Sequence, residues 1–223
     1  MHLDPMTHHD DARGRCQRLS RLPAPGPGYR FDPLRRGDTR RDELERYVQA
    51  AFAHRHGATV RSFMPTLLGF RDRAGALRGV AGVRGAGEEP LYLEQYLDRP
   101  VEQVLAGVAL GRAAPVATRH EIAEVGNLAA ATRRDAVRMV AHVPDWLLSQ
   151  RYRWIVFTAT SALRQILLGL GAPLVELARA DGACVATRDD DWGRYYETDP
   201  RVYAGHLPDA GSLAGFVRPD RGD

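Results

Sequence analysis

The chain has 223 residues, 44% of them hydrophobic and 26% charged, enough to bury one sizeable core. Its net charge is only +3, and its 31 basic residues, all arginine, are scattered among 28 acidic ones. No basic stripe of the kind that tracks a phosphate backbone forms, so nucleic acid is not an expected partner. Two distant cysteines, Cys16 and Cys184, imply neither a disulfide framework nor a cysteine zinc site and suit a reducing compartment. The N-terminus lacks the apolar stretch of a secretion signal, and no apolar run is long enough to span a bilayer. A cytoplasmic, soluble, bacterial-type protein is the expectation.

Residues 1–37 are rich in Pro, Gly, Arg, Asp and His and are expected to form a mobile arm, with one brief extended stretch at Tyr29 to Phe31. Within it His2, His8, His9, Asp10 and Asp11 have metal-binding chemistry, but no ligand spacing on an ordered element, so they read as a solvated tail and no metal is expected. Asp38 or Thr39 can cap a helix that runs to His56, with Leu44, Tyr47, Val48, Ala51 and Phe52 at helical spacing and Gly57 as its stop. Thr66 to Asp72 and Leu77 to Arg84 predict an antiparallel hairpin turning at Asp72-Arg73-Ala74-Gly75.

The stretch Leu91 to Leu97 reads as extended, and Pro100 opens a helix over Val101 to Leu110. A strand over His120 to Leu128 precedes a helix from Thr132 toward Gln150, which Pro144 should kink or interrupt. Then come a strand at Trp154 to Thr158, a helix from Ser161 to Leu170 closed by Gly171, and a short strand at Leu174 to Leu177. Beyond Asp181 the aromatic run around Trp192, Tyr195, Tyr196 and Tyr203 reads as a loop packed on the core or the wall of a pocket. This order predicts an α/β (α+β) fold, a mixed, mostly antiparallel central sheet flanked by helices. An acyltransferase-like domain is expected over 38–207, followed by a C-terminal tail at 208–223.

Phosphate loops, dinucleotide fingerprints, metalloprotease motifs and nucleophile elbows are all missing, so chemistry must come from polar residues placed in apolar strands. Glu94 and Gln95 lie in LYLEQYL, and Glu124 and Asn127 in IAEVGNLA. Alternation puts Glu124 on the face of Ile122 and Leu128, the buried one, where a carboxylate has a raised pKa suited to a general base. A structural ion pair with an arginine is an equal alternative. Gly126 can mark a bulge that frees backbone N–H groups for an acyl oxygen, or mere close packing. Thr160 is more simply a helix cap than a substrate contact, and Tyr195 and Tyr196 are either proton donors to a leaving group or packing residues.

The segments LEQYLDRPVEQ (93–103), EIAEVGNLAA (121–130), YRWIVFTATSALR (152–164), APLVEL (172–177) and WGRYYETDPRVYAG (192–205) resemble, in order and spacing, the motif series of the thermostable haemolysin (thermostable hemolysin) family. More distantly, the element order resembles the acyl-CoA N-acyltransferase (GNAT-like) fold, including the autoinducer synthases. The resemblance implies an acyl group moved from acyl carrier protein, acyl-CoA or an acyl adenylate to a small-molecule amine acceptor, with no tightly bound cofactor. It implies Glu124 or Glu94 as base, Tyr195 or Tyr196 as acid, and Gln95, Val125, Asn127, Phe157, Thr158, Thr160 and Trp192 around the substrates. Those synthases carry Arg three residues after the central Glu, where this chain has Asn127, which argues against lactone formation. The stretch Ala129 to Ala136 also lacks the glycines of a coenzyme A loop, although Arg133 and Arg134 at a helix start could meet a phosphate. The family name suggests a membrane-active protein as the rival reading, and a non-catalytic ligand-binding domain is a third.

Overall fold

The computed structural model describes residues 28–108, 117–185 and 191–210. The His/Asp cluster, Cys16, the C-terminal tail beyond 210 and the end of the helix expected at Val101 to Leu110 lie outside these residues. Seven strands form one sheet: β1 (Tyr29–Arg35), β2 (Thr66–Asp72), β3 (Leu77–Gly85), β4 (Ile122–Ala130), β5 (Trp154–Ala159), β6 (Val175–Arg179) and β7 (Arg201–His206). The spatial order is β1-β2-β3-β4-β5-β7-β6. Every neighbouring pair is antiparallel except β4 and β5, which run parallel. Parallel neighbours need a crossover, and α3 (Arg133–Ser149) supplies it.

Two sets of elements cover the two faces. On one, α1 (Arg41–His56) presents Leu44 and Val48 to Leu34, Val60, Leu67, Val80 and Ala129. Farther along that face, Leu91, Leu93 and Val101 of α2 (Val101–Ala106) pack with Ile122, Trp154 and Val156. On the other, Met139, Val140, Val143, Trp146 and Leu147 of α3 meet Phe70, Ala81, Val83, Val125 and Phe157, joined by Leu167 of α4 (Ser161–Gly169) and Leu207 of α5 (Leu207–Ala210). Period-two alternation in β3 and β4 sorts these side chains between the faces.

Several boundaries differ from expectation for identifiable reasons. The strand begun at Tyr29 continues to Arg35, because pairing along β2 outweighs the local turn-forming composition, so the sheet takes in residues that composition assigns to the arm. Pro33 is tolerated there because β1 is an edge strand. Neither Asp38 nor Thr39 caps α1: Arg40 holds the cap position, and the Asp38 carboxylate accepts its N–H. Gly57 does end the helix, in the left-handed conformation. Leu91 to Leu97 is not extended; Tyr92–Tyr96 is a 3-10 turn, bent because the Glu94 side chain accepts the N–H of Leu91. The helix α3 runs through Pro144 without interruption. The aromatic tail contains a whole strand, β7, inserted between β5 and β6.

Candidate active site

The parallel pair supplies the opening. Its register runs from Ile122 opposite Trp154 to Val125 opposite Phe157 and stops there. Beyond it β4 follows β3 to Ala130, while β5 follows β7 to Ala159. The strands therefore splay, and among the described residues the facing edge of β4 past Val125 has no strand partner. A bulge adds to the divergence: Val80 pairs with Ala129 but Gly82 with Gly126, so β4 spends one residue more than β3. Asn127 sits in that bulge with φ 45°, left-handed backbone that asparagine tolerates better than most residues.

A cavity of about 920 Å³ occupies the split and reaches both faces of the sheet. That volume is at the upper end of small-molecule sites. On the face of α3 and α4 its wall is apolar, formed by Val140, Val143, Phe157, Ile166, Leu167 and Leu174. Pro144 is also in this wall, and having no N–H it cannot bond the carbonyl of Val140 one turn back. On the face of α1 the lining is aromatic and polar, with Phe52, His56, Tyr92, Trp192, Tyr195 and Tyr196 around Glu124.

Glu124 is 3% exposed. Its carboxylate accepts the N–H groups of Tyr92 at 2.7 Å and Leu93 at 3.0 Å, the start of the 3-10 turn. Burial pushes its pKa up, against the lowering pull of those N–H groups and the Arg84 charge, and the balance lies at about 7. A carboxylate so tuned is divided between base and acid near neutral pH, the condition for moving a proton in both directions.

Glu94 has a different place. It lines a separate surface pocket, where it binds Arg119 at 2.7 Å and accepts the N–H of Val101. Burial raises its pKa, but the Arg119 hydrogen bond and the backbone donors outweigh it and hold the carboxyl at about 2. Bound this way it fastens the 3-10 turn to α2, away from the cavity that Glu124 lines, so of the two acids expected as base only Glu124 stands there. Gln95 is exposed and donates to the Tyr92 carbonyl, and it does not line the cavity either. Val125, Asn127, Phe157, Thr158, Thr160, Trp192, Tyr195 and Tyr196 all line it. Thr160 is also the N-cap of α4, accepting the Leu163 N–H. Burial raises the pKa of both Tyr195 and Tyr196, which keeps the phenols protonated, and the Tyr196 hydroxyl is 2.8 Å from that of Tyr96.

Several lining residues escape a reading of isolated segments. Phe52 and His56 end α1, Met64 crosses the bulge, and Arg84 is the cross-strand partner of Glu124. Only the β3–β4 register reveals Arg84; Gly82 and Gly126 are the local signs of Met64, since a Cβ at Gly126 would lie 2.5 Å from its methyl and one at Gly82 2.9 Å from its Cβ. The Asn127 amide oxygen accepts the Met64 N–H at 2.9 Å, tying this loop over the cleft. Asn127→Ala should therefore cost about 1–3 kcal/mol, from strained backbone and a lost acceptor, as read by urea denaturation.

A central strand splayed from its parallel neighbour, within a mostly antiparallel sheet flanked by helices, places the chain in the α/β class with the acyl-CoA N-acyltransferase-like fold. The match to the thermostable hemolysin family model covers residues 34–211, and the chain belongs to that family. No curated protein sequence matches it significantly. Among solved structures it is similar to TofI in an apo form, with 13% identity, TM-score 0.56, and coverage of 84% of this chain and 95% of the other. It is likewise similar to the AHL synthase LasI, with 14% identity, TM-score 0.54, and coverage of 87% and 98%. FeeM, an N-acyl amino acid synthase from uncultured soil microbes, has 15% identity, TM-score 0.53, and coverage of 84% and 99%. At these identities the likeness is one of fold.

Proposed function

We propose that this protein is an N-acyltransferase that moves an acyl group from a carrier thioester or adenylate to a small amine acceptor, with no tightly bound cofactor. The observation that carries the reading is Glu124, a buried carboxylate with a pKa near neutrality at the mouth of a split sheet. The acyl chain lies against the apolar wall of α3 and α4, and its thioester carbonyl at the unpaired edge of β4 beside the Asn127 bulge. Glu124 takes a proton from the acceptor ammonium. The amine nitrogen then attacks the carbonyl carbon, backbone N–H groups near Asn127 hold the oxyanion, and the carbon–sulfur bond breaks. Tyr196 or Tyr195 protonates the departing thiolate, and the proton the nitrogen sheds in forming the amide restores the phenol.

Acyl carrier protein, acyl-CoA and an acyl adenylate are the donors this arrangement suits, and all belong to the cytoplasm. A membrane-active role has less support. Among the described residues no helix is long and apolar enough to cross a bilayer, and the apolar side of α1 is spent on the sheet. The test is to incubate the purified full chain with decanoyl-CoA or decanoyl-acyl carrier protein and a pool of amines, following thiol release and N-acyl products by mass spectrometry. Amine-dependent thiol release is the expected result. Its absence with both donors, or an undiminished rate in Glu124→Gln, would overturn the reading.

A further inference from the structure

The side of the cavity next to Glu124 has a charge arrangement that acyl transfer alone does not need. Arg84 is paired across the β3–β4 ladder with Glu124, and both line the cavity. Directly opposed residues have Cβ atoms only about 4.5–5.5 Å apart. Yet among the described residues each finds its close partners elsewhere. Glu124 takes the backbone N–H groups of Tyr92 and Leu93. Arg84 gives one Nη1 hydrogen bond to the Pro90 carbonyl and stands 3.6 Å from Glu89, which itself binds Arg36. That Nε makes no hydrogen bond among the described residues, and it is the atom that stands 3.6 Å from the Glu89 carboxylate. Opposite charges held side by side, but joined to each other by no ion pair, form a template for a ligand that carries both signs.

We infer that the acceptor is an α-amino acid, held with its ammonium at Glu124, its carboxylate at the Arg84 guanidinium and its side chain in the aromatic cluster. The inference rests on the acyltransferase reading and narrows its acceptor. An α-amino acid presents cation and anion one carbon apart, which suits neighbours on one ladder rung. Guanidinium offers a carboxylate two parallel N–H groups. The aromatic cluster then sets the side-chain preference. The rings of Phe52, Trp192 and Tyr195 lie within 6.4 Å of one another, Phe52 stacked on Tyr195 and Trp192 edge-on or tilted to both, and Tyr92 lies 5.9 Å from Trp192. Rings packed on one another in this way form an aromatic wall of the cavity, which favours a large apolar or aromatic side chain against it. The Trp192 indole N–H, buried and without a hydrogen-bond partner among the described residues, leaves a donor in that wall for a polar tip such as a phenol oxygen.

Binding can be read without any donor, by titrating the full chain with L-tyrosine, L-leucine and their decarboxylated amines, tyramine and isopentylamine, and following calorimetric heat. Each amino acid should bind at least tenfold more tightly than its amine, and Arg84→Gln should bring that ratio toward one, with Arg84→Lys recovering part of it. Equal affinity for amino acid and amine, no binding of either amino acid, or a ratio unmoved in Arg84→Gln would each overturn the assignment. Acyl transfer is scored separately, by N-decanoyl product from decanoyl-CoA. Discrimination without product would leave the clamp standing and remove acyl transfer, whereas acylated tyramine with unmodified tyrosine would do the reverse.

Discussion

Glu124→Gln is expected to lower turnover by about 100- to 10 000-fold, the usual contribution of a positioned proton acceptor. The wild-type rate at subsaturating acceptor should climb about tenfold per pH unit below pH 7 and level off above it, following ionisation of a carboxyl poised at about 7. In the variant this acid limb should vanish. The same shift has a stability signature of fixed sign. Folding raises the pKa of Glu124, so the native state holds its proton more tightly than the unfolded chain, and the benefit is complete below the ordinary value of 4.5. It is lost as pH rises through 7, at about 3 kcal/mol over that interval. Glutamine cannot ionise, so Glu124→Gln should gain on the wild type in denaturation experiments by roughly this amount between pH 4.5 and 8. Parallel stability curves would show that Glu124 titrates as a solvated carboxyl, and the argument for it as base would fall with them.

Arg41→Ala should have the largest effect on stability of any single change outside the hydrophobic core, about 3–5 kcal/mol. Arg41 is 5% exposed, although it opens a helix whose other charged side chains mostly face water. Its guanidinium donates to the carbonyls of Leu34, Pro65 and Met64 and pairs with Glu45 at 2.6 Å. One side chain thus holds together the end of β1, the start of α1 and the loop that reaches the cleft. Alanine would remove a donor from three carbonyls, of which Pro65 keeps the Arg36 N–H, and leave a void where the side chain passed. Equilibrium unfolding monitored by tryptophan fluorescence gives the measurement, and a loss below about 1 kcal/mol would mean that water replaces the guanidinium without difficulty. Because Met64 is one of the three acceptors, ligand affinity at the cleft should fall as well.

What could be read from single segments depended on whether local pattern and tertiary context agreed. The regular spacing of Leu44, Val48 and Phe52, closed by Gly57, made α1 legible, and the Gly75 turn did the same for the hairpin. Glu124 stood out because an acid between Ile122 and Leu128 must be either solvated or satisfied in the interior. Glu94 invited the same argument and had a different answer, since its partner Arg119 lies 25 residues farther along and nothing local announces the pairing. Tyr92–Tyr96 carries apolar residues in a pattern that suits a short strand, but hydrogen bonds donated by backbone N–H groups to the carboxylates of Glu94 and Glu124 bend it into a turn. The strand β7 was hidden in an aromatic stretch because its place between β5 and β6 is set by long-range pairing, not by composition. The split itself follows from one feature that segments could show, Gly126 beside Asn127, and one that only register shows, the end of β4–β5 pairing at Val125.

The position of β7 bears on how the protein is made. It is the last strand among the described residues, yet it fills an interior place in the sheet. Until residues 201–206 emerge from the ribosome, β5 can pair only on its β4 side, and only over Ile122 to Val125. The sequence Trp154-Ile155-Val156-Phe157 is then a bare, strongly β-forming edge with no charge and no proline, the kind of segment that recruits strands from other chains. Nascent chains stalled before residue 201 should therefore be held by chaperones or aggregate, whereas those released with β7 intact complete the sheet and cover that edge.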